Sequence, residues 1–503
     1  MAQLRAAVRS DPRNAEKQHA LGIALARGGQ MGEAIAVFRA AVGLKPDWAD
    51  GWASLGLALQ EAGDLQNAQT AFLRAVSLSP GDTRMRIALG SLFLQMQNAD
   101  RAVAEFRAAA ALSPDSPEIH RNLGFVLGQL GDSDGAIAAY ETALRLRPAQ
   151  AEGHYYLGVT LLQKGTPESL ERAVMVLRQA VKLSPRSAEA LTSLGVALRE
   201  SEQPAEAIAT FRKAIALNPK LAEAHNNLGL TLLREKRPDE ALAAFQAVTK
   251  LDARNPNGYL NAGLALMQKD DVAGAVKSYR TLIGVAPQAY EAHYNLGLAL
   301  KRMDDLAGAI VSLRQCLTLQ PDFPDAHFTL GEIYLQQANF DAALAALGEA
   351  IRLNPDDGEA HYRQGTAWQR KGDTAAAIAA FRTAIRLAPG NPEIHNALAA
   401  ALRQTGDTEG AGAAAREAAR LTKLKNDLQA AATITQAGIQ LAQKGQLDAA
   451  IERFENAVKT GPEYAEAWYQ LSLARGKKGQ TAAAQEALQK AEALNPKFKR
   501  RAQ

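Results

Sequence analysis

Residues 222–252 read AEAHNNLGLTLLREKRPDEALAAFQAVTKLD, and the spacing of their small and apolar side chains decides the fold. Leu228, Gly229 and Leu232 share one face of a first short helix, and Ala241, Ala244 and Phe245 share one face of a second. Between them Glu235, Lys236, Arg237 and Pro238 make a polar turn whose proline suits the first turn of the helix that follows. Two helices this short cannot bury both apolar stripes against each other. They need neighbours of the same kind on either side.

The chain supplies them. With Ala222 as position 1 of the unit, the position-8 glycine recurs as Gly22, Gly56, Gly90, Gly124, Gly158, Gly195, Gly229, Gly263, Gly297, Gly331 and Gly365, and then as Ala399, Gly438 and Ser472. That makes fourteen units, 34 residues apart except at two places. Position 20 is alanine in all fourteen, from Ala34 to Ala484. Glycine on one helix and alanine on the other are expected to let the two backbones cross closely. A ring commonly follows four residues after the alanine, as at Phe38, Phe72, Phe106, Tyr140, Phe211 and Phe245, and a proline closes most units.

This period, with its small pair, aromatic and proline, resembles the tetratricopeptide repeat family over essentially the whole chain. The resemblance implies an all-α, right-handed α-solenoid (a superhelix) of about fourteen helix-turn-helix repeats. It also implies that the first helix of each pair lines a concave groove for an extended peptide or a partner's helix. Along the chain, residues 1–12 align with the second helix of a truncated unit. Repeats one to twelve occupy 13–425, a helical insertion 426–430, and repeats thirteen and fourteen with a basic tail 431–503. Repeat five carries three extra residues in its turn, at 165–169, which the edge of a solenoid absorbs cheaply. From Ala413 to Ala437 there is neither glycine nor proline, so a lengthened helix is expected to join the last two repeats to the rest; a hinge at 423–427 is the alternative.

Composition limits the function classes. Apolar residues make up 47%, and the net charge is +4 with lysine and arginine scattered among glutamate. That is too weak and too mixed for a nucleic-acid footprint, so no nucleic-acid partner is expected. No run approaches the ~20 apolar residues of a membrane span. The single cysteine, Cys316, excludes an internal disulfide and falls where alanine otherwise packs. The compartment stays open, because repeats of this design serve many settings.

No metal, nucleotide or nucleophile motif is present, so the expectation is a protein that is no enzyme and needs no cofactor. Seven histidines (His120, His154, His225, His293, His327, His361, His395) share position 4. Adjacent copies lie about 10 Å apart, too far for one metal, and packing within the first helix is the reading.

By the same resemblance, positions 2, 5, 6, 9, 12 and 13 face the groove. Position 6 holds Asn122, Asn227, Asn261 and Asn295, and Asn226 stands beside the second of these. An amide row of this kind can grip a peptide backbone whatever its sequence. It is similar to the asparagine ladder of O-linked N-acetylglucosamine transferases, although no catalytic domain follows. The alternative is that asparagine is simply a common helix-surface residue. Position 5 places Tyr294, Phe328 and Tyr362 in successive repeats, either as apolar pockets for a partner or leaning on the neighbouring helix. Position 9 is mostly aliphatic, which disfavours the version of the family that clamps a partner's terminal carboxylate.

The partner expected is thus a protein or peptide bound by a scaffold. The alternatives are a subunit that stacks head to tail into homo-oligomers through an apolar end face (Leu471, Leu488, Leu494), and the substrate-recruiting part of an enzyme complex.

Overall fold

The computed structural model describes residues 1–498, and its ordered elements there are twenty-eight α-helices. They form sequential pairs, so the chain is an all-α solenoid of about fourteen helix-turn-helix repeats. It divides into two compact units, Met1–Ser278 and Tyr279–Gln503. The first helix of repeat seven, Ala222–Arg234, packs on the second, Pro238–Leu251, which in turn packs on Pro256–Gln268 of repeat eight. Within the first unit one continuous core runs from Leu21 to Ala265.

The close crossing read from position 8 has a different occupant from the one expected. A Cβ on Gly229 would lie 2.5 Å from the ring of Phe245, not against the position-20 alanine. The same holds at Gly22 over Phe38, Gly56 over Phe72, Gly195 over Phe211 and Gly438 over Phe454, and leucine takes the ring's place over Gly297 and Gly331. Alanine at position 20 is still needed, since Ala207 and Ala241 are fully buried. The glycine, however, is a seat for the position-24 side chain. Repeat twelve supports this: it has Ala399 in place of the glycine and Ala415 in place of the ring.

Position 15, in the turn between the two helices, is left-handed. Glycine takes it at Gly29, Gly63, Gly131, Gly165, Gly372, Gly406, Gly445 and Gly479. Gln97, Glu202, Lys236, Asp270, Asp304 and Ala338 adopt it without that freedom, at φ between 56° and 68°.

The seven histidines do more than pack. In each, Nε2 lies 2.8–3.3 Å from the backbone carbonyl six residues earlier, that of the inter-repeat proline. A carbonyl can only accept, so Nε2–H donates. Gln18, Trp52, Arg86, Tyr259 and Trp468 donate from the same position, giving the bond in twelve repeats. Position 4 is therefore a latch on the turn between repeats. We expect His225→Gln to leave stability unchanged and His225→Leu to cost about 1 kcal/mol, read in urea titrations.

In the second unit, Thr408–Gln443 is one unbroken helix of 36 residues. It packs as the second helix of repeat twelve on Pro392–Gln404 and as the first helix of repeat thirteen on Leu447–Thr460. Residues 423–430 are helical throughout. Where this helix passes the next turn, a Cβ on Gly461 would lie 2.9 Å from the carbonyl oxygen of Asp427, so only glycine fits. On the end face named above, Leu471 is buried and Phe498 stacks on Tyr469 at 4.7 Å, whereas Leu494 stays exposed.

Candidate functional site

Successive first helices touch one another and form one layer in each unit. Side-chain rungs tie them at intervals of one repeat. In the first unit these include His19 to Ser54 (2.8 Å), Gln60 to Gln95 (2.9 Å), Arg121 to Glu152 (2.8 Å), Asn261 to Asn226 (2.8 Å) and the Gln268 amide to the Leu233 carbonyl (3.2 Å).

The asparagines of position 6 are not equivalent. Asn261 is 8% exposed, and its Nδ2 donates to Asn226 Oδ1. Asn227, half-buried, accepts from the Arg199 guanidinium at 3.0 Å and donates to the Glu223 carbonyl at 3.1 Å. Asn295, in the second unit, donates to the Glu291 carbonyl at 2.8 Å, and Asn122 is half-buried. Asn227 and Asn295 thus spend a donor on their own helix, while Asn227, as acceptor, and Asn261, as donor, each tie their helix to the preceding first helix.

The position-5 rings in the second unit are half-buried. Tyr294 meets the edge of Phe323 at 5.0 Å, and burial raises the pKa of its hydroxyl. Tyr362 lies 6.0 Å from Phe381 and under the Arg363 guanidinium, and Phe328 is likewise half-covered. Beside them Glu332 holds Lys301 at 2.7 Å and Arg363 at 3.4 Å. Glu359, bonded to the same arginine, has its pKa raised chiefly by burial.

A row that no residue of the expected site includes runs along position 9 of the first unit. It reads Ile23, Leu57, Ser91, Phe125, Val159, Val196, Leu230 and Leu264, apolar in seven of eight repeats and buried in none. Leu57 is 55% exposed, Phe125 42% and Leu264 38%. The repeat register shows that the row is apolar. Its exposure depends on how far the neighbouring first helix covers it, which no periodicity states.

Profiles of the tetratricopeptide repeat match residues 2–48, 54–117, 168–222, 194–256, 260–324, 300–357, 328–392 and 362–424, and related repeat profiles match 129–165, 438–479 and 465–498. The chain belongs to the tetratricopeptide repeat family. No curated protein matches it. Among solved structures, MamA (41-end) from Desulfovibrio magneticus RS-1 is 26% identical, covering 34% of this chain and 95% of that one at a TM-score of 0.33. YrrB, described as a TPR protein with an unusual peptide-binding site, is 26% identical over 37% of this chain and 95% of its own, with a TM-score of 0.32. Yeast Tom70 is 16% identical over 96% of this chain and 99% of its own, with a TM-score of 0.39.

Among the described residues of this tetratricopeptide repeat chain, no three histidine, cysteine or acidic side chains converge as a metal site. No described helix is long and apolar enough to cross a membrane. Cys316 is fully buried in the second helix of repeat nine, and burial, with Glu291 adding to it, pushes its thiol pKa up to about 11. A thiol so held is not a nucleophile near neutral pH.

Proposed function

We propose that this chain is a non-catalytic scaffold that binds an extended peptide or partner protein along its first-helix face. The observation that carries this reading is the position-9 row of the first unit, apolar in seven of eight repeats yet nowhere buried. Single exposed apolar side chains are ordinary, but a row held in register along one layer is what a partner covers. The amide of Asn227 and the rings of Tyr294, Phe328 and Tyr362 would add polar and aromatic contacts within their own units. Peptides selected from a random display library against the whole chain test it. Leu57→Ser, Phe125→Ser and Leu264→Ser together should weaken the selected peptides at least about tenfold, since each loses a buried apolar contact. Unchanged affinity in that variant would overturn the site.

A further inference from the structure

The second helices of the first unit present a face of one charge sign. Positions 22, 25, 26 and 29 share one side of each, turned away from the buried positions 20, 23, 24 and 27, which hold Ala241, Ala244, Phe245 and Val248 in repeat seven. On the eight second helices from Ala2–Ser10 to Pro238–Leu251 none of these outward residues is buried. Eleven are lysine or arginine and one, Glu141, is acidic, in a chain with 57 basic and 53 acidic residues in all. Charges that look scattered along the sequence are thus sorted by the fold. The acids stand elsewhere, as at Glu16, Asp50, Glu118 and Glu152 at the starts of first helices.

Few of these cations are spent within the chain. Arg5 pairs with Glu33 at 2.7 Å, Arg178 with Glu206 at 2.8 Å and Arg212 with Glu240 at 2.8 Å, while Glu141 is taken by Arg172. Every one of the eight helices still holds one exposed cation on this side that makes no ion pair among the described residues. On repeats one to four these are Arg39, Arg74, Arg107 and Arg145, and the row continues through Lys182, Lys213 and Lys250. Like charges held in register repel one another, and a face shaped only for solubility mixes both signs. Between the cations stand small side chains such as Ala36, Ala104 and Ala209, and two large apolar ones, Leu73 at 45% exposed and Met175 at 63%.

We propose that this face docks on an anionic lipid surface, the cations over the headgroups and Leu73 and Met175 at the acyl boundary. Cations spaced one repeat apart fit a layer that is charged everywhere and sets no register. A folded acidic partner would have to repeat its carboxylates at the spacing of the helices. A nucleic acid would find no ring among the outward positions on which to stack a base, and it offers Leu73 and Met175 nothing apolar. The face belongs to the second helices and the position-9 row to the first, so either reading can fail alone.

The test sediments the full chain with vesicles of phosphatidylcholine and phosphatidylserine in equal parts, and with vesicles of phosphatidylcholine alone. Binding should need the phosphatidylserine and be lost in about 1 M salt, where screening acts within about 3 Å. Arg39→Gln, Arg74→Gln, Arg107→Gln and Arg145→Gln together should weaken it at least about tenfold, and lysine at the same four sites should preserve it. All four side chains are exposed and unpaired among the described residues, so neither variant disturbs the core. Leu73→Ser with Met175→Ser should weaken binding at least about threefold. Removing as many charges elsewhere, in Lys220→Gln, Arg254→Gln, Arg370→Gln and Lys423→Gln, should change it by less than about threefold. Equal binding to phosphatidylcholine alone, no loss in the first glutamine set, or an equal loss in the second would overturn the face. Undiminished binding in Leu73→Ser with Met175→Ser, or a DNA duplex or polyglutamate bound as tightly per charge as the vesicles, would overturn the lipid assignment.

Discussion

Phe245→Ala is expected to cost about 3–5 kcal/mol, the loss seen when a fully buried ring is removed from a packed core. Phe245 has no exposed surface, and its ring lies where a Cβ on Gly229 would be. Gly229→Ala should therefore also destabilise, by about 1–3 kcal/mol of overpacking, despite the better helix propensity of alanine. The informative variant carries both changes. Its pair of alanines matches Ala399 and Ala415, which the chain already uses in repeat twelve. The added methyl then enters space the ring has left, so the double variant should be more stable than the sum of the two single losses predicts, by about 1–2 kcal/mol of coupling. Urea titration measures the totals, and amide exchange should place the loss in repeat seven and its neighbours, since each repeat is held mainly by the ones beside it. Strict additivity would show that the glycine is not a seat for the ring.

The opposite sign is expected at position 15. Replacing Gln97, Glu202, Lys236, Asp270, Asp304 and Ala338 by glycine removes six left-handed side-chain-bearing residues. Each such residue costs about 1–2 kcal/mol, of which glycine returns about 0.5–1 through its greater freedom in the unfolded chain. The net gain is about 0.5–1 kcal/mol per site, and about 3–6 kcal/mol for the set, because the sites are a repeat or more apart. Ala338→Gly should contribute most. Asp270→Gly and Asp304→Gly should contribute least, since aspartate tolerates this conformation better than alanine. The urea midpoint of the six-fold variant measures it, and a lower midpoint than the parent's would refute the strain.

These two results separate what one chain of letters carries from what packing adds. A period of 34 with small residues, a ring and a proline at constant offsets was sufficient for the helix pairs, their order and the family, because helix amphipathicity and turn chemistry are local. Position 8 was legible as small, yet its reason lay sixteen residues away in Phe245, across a helix crossing. The position-4 histidines were legible as a column, but their bond to the carbonyl six residues back exists only once the inter-repeat turn has bent. Asn227 and Asn261 share one repeat position, and still one faces Arg199 while the other is buried on Asn226. Identical positions diverge because each side chain's partners come from the adjoining repeats, whose residues at those sites differ. The exposure of Leu57, Phe125 and Leu264 is of the same kind, since a local pattern says which side chains are apolar and only the neighbouring helix determines whether water reaches them.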